Sequence, residues 1–249
     1  MLKIIMHGCN GRMGQTIVNL VRESKDKIIV AGISADGQAL NSFPVYTNIS
    51  ECQESADVII DFSNPSTLNG LISYATTHKI PLVIATTGFS DEELNRINEA
   101  GKIIPILRSA NMSLGINLML DLVKKATSTL ENNFDIEIIE KHHNNKVDSP
   151  SGTALLLADT INDTLNKKAI YKYDRHTEKQ KRTKNEIGIH AIRGGTIVGE
   201  HSVIFAGDDE VIEITHTASS RKIFAKGAIH AAEFIIKQNN GLYSMQDSL

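Results

Sequence analysis

Apolar residues in the first part of the chain fall into short unbroken runs separated by stretches of helical period. Leu2–His7 is such a run, ended by Gly8, and Met13, Thr16, Ile17, Leu20 and Val21 follow it at i, i+3, i+4, i+7 and i+8. This pattern predicts a strand, a glycine turn and an amphipathic helix. Further runs at 28–33, 56–61, 81–85 and 103–107 repeat the theme. Pro65 suits the first turn of a helix with Ser63 or Asn64 as cap. Ser90-Asp91-Glu92-Glu93 has the spacing of a capping box and marks another helix start. Strand-like runs interleaved with helices in this order predict an α/β fold on a parallel, doubly wound sheet.

After Ser109 the rhythm changes. A helical stretch, Leu114–Leu130, leads to a strand at 135–141 with Ile136 and Ile138 on one face. Ala154, Leu157, Ala158, Ile161 and Leu165 then repeat at helical spacing from Thr153 onward. Three strand-like runs follow, at 187–193, 199–206 and 210–217, and imply a second, mixed domain. The last segment, 223–238, is again an amphipathic helix, placed to return over the first domain. Residues 167–186 carry eight Lys/Arg against three Asp/Glu without apolar periodicity, and read as a solvated loop rather than an anion site.

Composition narrows the partners. With 249 residues, 41% hydrophobic and 22% charged, the chain lies in the ordinary range of globular proteins. Its 26 basic and 29 acidic residues leave a net charge of −3, without the basic excess that nucleic acid demands. No apolar run approaches the ~18 residues of a membrane span, and the opening run is too short for a secretory signal. Cys9 and Cys52 have neither disulfide-framework nor zinc-site spacing, so a reducing, cytoplasmic setting is expected.

Candidate chemistry concentrates in four places. Gly8-Cys9-Asn10-Gly11-Arg12-Met13-Gly14 lies between a strand and a helix, where backbone N–H groups and the helix start can meet a pyrophosphate. The alternative is a plain tight turn. Arg12 at a helix start is unfavourable against the dipole unless an anion answers it. At the end of the second strand the chain reads Ser34-Ala35-Asp36, so the usual acidic residue is missing and Asp36 is a late substitute. The second place is the pair of strand-end loops, Ala85-Thr86-Thr87-Gly88 and Ser109-Ala110-Asn111-Met112, suited either to a cofactor's ribose and nicotinamide or to ordinary turn chemistry.

The third is Glu140-Lys141-His142-His143-Asn144-Asn145-Lys146. Adjacent strand residues point to opposite faces, so two histidines there cannot share one metal unless the strand has ended. Acid/base catalysis, solvated loop histidines and metal binding, in that order, remain open. Lys146 is a candidate anion anchor or proton donor. The fourth is Ser149-Pro150-Ser151-Gly152-Thr153-Ala154, either a simple helix cap or, with Lys146 nearby, a carboxylate site.

The segment 137–154, EIIEKHHNNKVDSPSGTA, resembles the E-(hydrophobic)₂-E-x-H-H-x-x-K-x-D-x-P-S-G-T-A motif of the 4-hydroxy-tetrahydrodipicolinate reductases, the dihydrodipicolinate reductases of lysine and diaminopimelate biosynthesis. Matches at 57–65 (DVIIDFSNP), 86–89 (TTGF), 113–117 (SLGIN), 198–201 (VGEH) and 213–221 (EITHTASSR) extend the resemblance over nearly the whole chain. It implies a Rossmann-like dinucleotide-binding domain at 1–111 plus 221–249 and an α+β substrate-binding and tetramerisation domain at 112–220. The implied reaction is hydride transfer from NADH or NADPH to a small dicarboxylate with loss of water, by a homotetramer. Carried over by position, His142 resembles the proton donor/acceptor and Lys146 the proton donor. His143, Ser151, Gly152 and Thr153 resemble the substrate-binding set. Gly8, Cys9, Asn10, Gly11, Arg12, Met13, Ala85, Thr86, Thr87, Ser109, Ala110, Asn111 and Met112 match the cofactor-binding segments. Ala85 stands where Gly is more usual, and Asn144-Asn145 replace more basic residues. No metal is implied.

Two other classes compete. Another two-domain NAD(P)-dependent dehydrogenase would need a reactive Cys or a different base, and Cys9 sits in the phosphate loop. A non-catalytic dinucleotide sensor would have no need of His142 and Lys146.

Overall fold

The computed structural model describes residues 1–176 and 178–249. In chain order its elements are β1 (Leu2–His7), α1 (Arg12–Arg22), β2 (Lys27–Ile33), β3 (Val45–Tyr46), β4 (Val58–Asp61), α2 (Leu68–His78), β5 (Leu82–Ile84), α3 (Asp91–Gly101) and β6 (Pro105–Arg108). There follow α4 (Leu114–Leu130), β7 (Asp135–His142), α5 (Gly152–Thr164), β8 (Ile170–Lys172), β9 (Glu186–Arg193), β10 (Gly199–Ala206), β11 (Val211–Ala218), α6 (Lys222–Ile235) and β12 (Gly241–Tyr243). Two compact units divide the chain: Met1–Leu114 with Lys222–Leu249, and Gly115–Arg221.

The first unit is the expected doubly wound sheet, with strand order β12-β6-β5-β4-β1-β2-β3 and every pairing parallel. Strand side chains alternate between faces, so this sheet has two cores. Ile4, Met6, Val58, Ile60 and Val83 face a cluster completed by α1 and α6, whereas Ile5, Ile59, Leu82 and Ile84 face one completed by α2 and α3. Both faces being covered is why these strands read as unbroken apolar runs. Ala225, Ala228, Ala231 and Ala232 let α6 lie close on the sheet, and a Cβ at Gly227 would overlap the Met112 carbonyl oxygen.

Local signals behave as their chemistry dictates. Ser90 and Glu93 form both bonds of the capping box. Asn64, rather than Ser63, caps the turn that Pro65 opens, its Oδ1 accepting from Ser66 N at 3.1 Å. The edge strands β3 and β12 escape the apolar pattern because two or three residues are too few to show a period.

The second unit holds a mixed sheet, order β11-β10-β7-β9-β8, with β10 antiparallel to both neighbours and β9 parallel to β7 and β8. Ile136, Ile138, Ile187, Ile189, Val203 and Phe205 pack on α4 and α5. The basic stretch at 167–186 is more than a solvated loop. Arg175 bonds Glu186 at 2.6 Å, and Arg182 bonds Glu137 and Asp135 at 2.9 Å each, which ties the segment to the start of β7.

Candidate active site

In the second unit, β7 places Glu140 and His142 two residues apart and therefore on one face, both buried. His142 Nδ1 lies 2.6 Å from Glu140 Oε2. Arg193, the last residue of β9 and the register partner of His142, reaches the same carboxylate with both ends of its fork, at 2.8 and 2.7 Å. Ser151 N donates to Glu140 Oε1 at 3.0 Å. Burial pushes the Glu140 carboxyl up, but the bonds from Arg193, His142 and Ser151 outweigh it and hold the group below the usual range.

His143 is the first residue beyond β7, so the two histidines are not constrained to opposite faces, and they take different partners. Arg221 Nη2 lies 3.3 Å from His143 Nε2. A guanidinium can only donate, so Nε2 accepts and the proton of a neutral His143 sits on Nδ1. That Nδ1 is buried with no protein partner in the structure. Lys146 Nζ pairs with Asp148 at 2.8 Å, and this contact holds the Asp148 carboxyl low.

Ser151 caps α5, its Oγ accepting from Ala154 N at 3.2 Å and meeting His201 Nε2 at 3.0 Å. Space is open where a Cβ at Gly152 would stand, beside Thr153 in the first turn of α5. His201 is packed edge-on to His142 at 5.2 Å between ring centroids, and its Nδ1 is buried without a partner. Burial, and after it the nearby His142, push the His201 imidazole down to about 4, against a smaller opposing pull from Glu140. The site therefore contains a neutral imidazole, buried donors and a helix N-terminus, a set that suits a carboxylate-bearing ligand.

In the first unit all three candidate cofactor segments follow the carboxyl ends of strands: 8–13 after β1, 85–87 after β5 and 109–112 after β6. Strand order reverses direction beside β1, between the β2 and β4 sides, which is where α/β sheets bind nucleotides. Gly8 takes φ +85°, and a side chain there would overlap the Phe62 carbonyl oxygen. Gly14 is packed as closely on the Gly8 carbonyl. Gly11 caps α1 without a side chain, the first turn carries no acid, and Arg12 is exposed beside it. These residues fit a dinucleotide's pyrophosphate. Asn10 Nδ2 donates to Asp36 Oδ1 at 2.7 Å, which stations the Asp36 carboxylate beside the loop.

Within the cofactor set, Cys9 and Met112 turn their side chains into the core, and the Cys9 backbone is bonded to Ile33 O and Gln15 Nε2. Burial, followed by the charge of Asp36, pushes the Cys9 thiol up to about 11, so no thiolate nucleophile exists there. Thr86 Oγ1 accepts from Ser63 N at 3.0 Å. Ser109 Oγ donates to Asn111 O at 2.8 Å, and Asn111 Oδ1 accepts from Ser113 N at 2.9 Å, which closes that turn. Met13 is half-buried and Ala85, Thr87 and Ala110 line the same strand ends. Beneath them a buried His7–Asp61 pair at 2.7 Å extends to Ser63 Oγ at 2.5 Å. Sequence patterning assigns no role to Glu140, Arg193, His201, Arg221 or His7. For Glu140 the signal was available, because it shares strand parity with His142.

Sheets of this strand order, with a glycine loop where the order reverses, are those of Rossmann-type nucleotide-binding enzymes, here continued by a unit with acid/base groups of its own. Residues 2–112 match the family described as dihydrodipicolinate reductase, N-terminus, and residues 115–249 match dihydrodipicolinate reductase, C-terminus. The chain belongs to the dihydrodipicolinate reductase family. It is 55% identical over 247 residues to the 4-hydroxy-tetrahydrodipicolinate reductase of Caldanaerobacter subterraneus subsp. tengcongensis, covering 99% of this chain and 98% of that one. The enzyme of the same name from Clostridium tetani is 55% identical over 245 residues, 98% of this chain and 96% of its own. A dipicolinate-bound dihydrodipicolinate reductase from Paenisporosarcina sp. TG-14 shares the fold, with TM-score 0.85 over 100% of both chains at 23% identity.

A histidine buried neutral makes stability depend on pH. The unfolded chain takes up this proton near the ordinary value of about 6.5, so the contribution of His201 is complete above that pH and is lost as pH falls toward about 4. Between pH 7 and pH 5 this single group should remove roughly 2 kcal/mol of unfolding free energy. Urea unfolding across that range should show His201→Gln with a shallower pH dependence than the parent, and parallel curves would contradict the assignment.

Proposed function

We propose that this chain is an NADH- or NADPH-dependent 4-hydroxy-tetrahydrodipicolinate reductase acting in lysine and diaminopimelate biosynthesis. The observation that carries this reading is the joining of His142, through Glu140, to the cap of α5, so that a proton-exchanging imidazole and a carboxylate-binding helix start share one support. The substrate is a small dicarboxylate.

When bound, the nicotinamide cofactor supplies a hydride. Together with one proton this converts the substrate to tetrahydrodipicolinate, and its hydroxyl leaves as water. Gly8, Cys9, Asn10, Gly11, Arg12 and Met13 form the loop that holds the pyrophosphate: the amides of Gly8, Cys9 and Gly11 shape it through bonds to Ile33 O and Gly8 O, and the start of α1 with the Arg12 charge meets the anion. Ala85, Thr86, Thr87, Ser109, Ala110, Asn111 and Met112 flank the remainder of the dinucleotide. Ser151, Gly152 and Thr153 at the start of α5, with His143 Nδ1–H, bind substrate carboxylate. His142 Nε2 exchanges the proton, its other nitrogen being engaged by Glu140. Lys146 brings an ammonium as proton donor, and Asp148 holds it in place.

His142→Gln and Lys146→Met should each lower kcat by about 10²- to 10⁴-fold, the usual worth of a positioned acid/base group. NADH binding, followed by fluorescence titration, should be nearly unchanged because its residues belong to the other unit. Lys146→Met should also raise KM, and His143→Ala should act mainly on KM. Steady-state kinetics decide: wild-type turnover in the first two variants, or loss of NADH binding as severe as loss of turnover, would remove the catalytic role from this loop.

On cofactor choice, Asp36 offers one carboxylate against a ribose 2′-phosphate, while Ser34 and Ala35 offer nothing for or against it. NADH is the favoured cofactor by less than about a hundredfold in kcat/KM, or ~2.7 kcal/mol. Kinetics with both cofactors measure it, and a larger ratio in either direction sinks the argument.

The working form is a cytoplasmic homotetramer assembled through the second unit. Support comes from β11, an unpaired sheet edge that exposes Val211 and Ile212. Light scattering at micromolar concentration should return four times the chain mass; a monomeric mass would reject it.

A further inference from the structure

Glu140 has no exposed surface, yet its carboxylate is met from four directions. Oε2 accepts from His142 Nδ1 and Arg193 Nη1, and Oε1 accepts from Arg193 Nη2 and Ser151 N. An ionised carboxylate has no proton to give, so the hydrogen between it and His142 belongs to Nδ1. Nε2 is thereby left as the nitrogen that can give and take a proton. It lies against Gly199, where a Cβ would come within 3.0 Å, so that side of the ring is kept clear. Arg193 has a further contact: its Nη2 donates to the Asp148 carbonyl at 2.7 Å, which fixes the loop entering α5.

We propose that Glu140 and Arg193 are positioning residues for the reduction: Glu140 sets the tautomer and plane of the His142 ring, and Arg193 locks that carboxylate to the loop that starts α5. The proposal rests on the reading of His142 as the proton-exchanging group. The arrangement follows the general logic of a histidine oriented by a buried acid. A cation across the carboxylate adds a second function here. When His142 takes a proton, Glu140 remains a charged acceptor, because the Arg193 fork already occupies the edge that would otherwise bind the proton. Both Glu140 oxygens are taken by His142, Arg193 and Ser151, so Glu140 acts through His142 and Ser151, and Arg193 acts through Glu140.

The test is a kinetic cycle with an independent spectroscopic readout. Glu140→Gln keeps size but turns an amide N–H toward groups that themselves donate, and should cut kcat by about 10²- to 10³-fold with the Kd for NADH unchanged. In a His142→Gln background the same change should cost less than about threefold more, because a residue acting through His142 has nothing left to position. Additive losses would assign Glu140 a merely structural role and overturn the proposal. By proton NMR, the parent should show a far-downfield imidazole N–H signal that is absent in Glu140→Gln and in His142→Gln and present in Arg193→Lys. No such signal in the parent also overturns it. Should Glu140→Gln fail to fold, Glu140→Asp retains the charge facing Arg193 while drawing it back from Nδ1, and must show the same kcat loss for the proposal to stand. Wild-type turnover in His142→Gln would instead bring down the reading of the site itself, a result distinguishable from failure of the positioning step alone.

Discussion

A carboxylate without solvent must find its donors inside the protein, and Glu140 finds them on three elements at once. Leaving such a charge unpaired costs several kcal/mol, so the surroundings of Glu140 admit few arrangements. β9 must run beside β7 in the register that sets Arg193 opposite His142. α5 must be capped by Ser151, so that the backbone N–H of the cap residue donates to Oε1. Orientation of the His142 ring and satisfaction of the buried charge are here one requirement, since the carboxylate that the bonds from Arg193 and Ser151 neutralise is the one that His142 Nδ1 meets.

The first unit reaches comparable order by strand direction. A parallel sheet sends every strand end to one edge, so loops far apart in sequence become neighbours without any side chain recruiting another. The chemistry at that edge is largely backbone chemistry. Cys9 and Met112 show the division plainly: their side chains fill the core cluster while their peptide groups remain at the strand ends. Packing selects the side chains there, and chain path selects the donors.

What could be read from the residues alone follows the same divide. Strands and helices with several periods were legible, as were the glycine loop, the capping box and the run from Glu137 to Ala154, because each signal is local. The contacts that define the site are not. Arg193 lies 53 positions from Glu140, and His201 lies 50 from Ser151, distances over which no periodicity operates. Arg175 and Arg182 looked like members of a solvated basic run because their acidic partners Glu137 and Asp135 sit in another strand. Glu140 is the instructive case: parity put it on the same face as His142, but only the buried environment explains what a carboxylate does there.

The first unit is also discontinuous, since residues 222–249 complete it only after the whole second unit has been traversed. Until α6 arrives, Ile4, Met6, Val58 and Val83 lack the alanine-rich face that covers them. On the ribosome, therefore, the first unit cannot close its core before the inserted unit has emerged, although its strands β1 to β6 are made ahead of it. Contacts of such long sequence separation slow folding. The inserted unit, uninterrupted from Gly115 to Arg221, is free to form first, so that the unit carrying Glu140 and His142 is built ahead of the unit carrying the glycine loop.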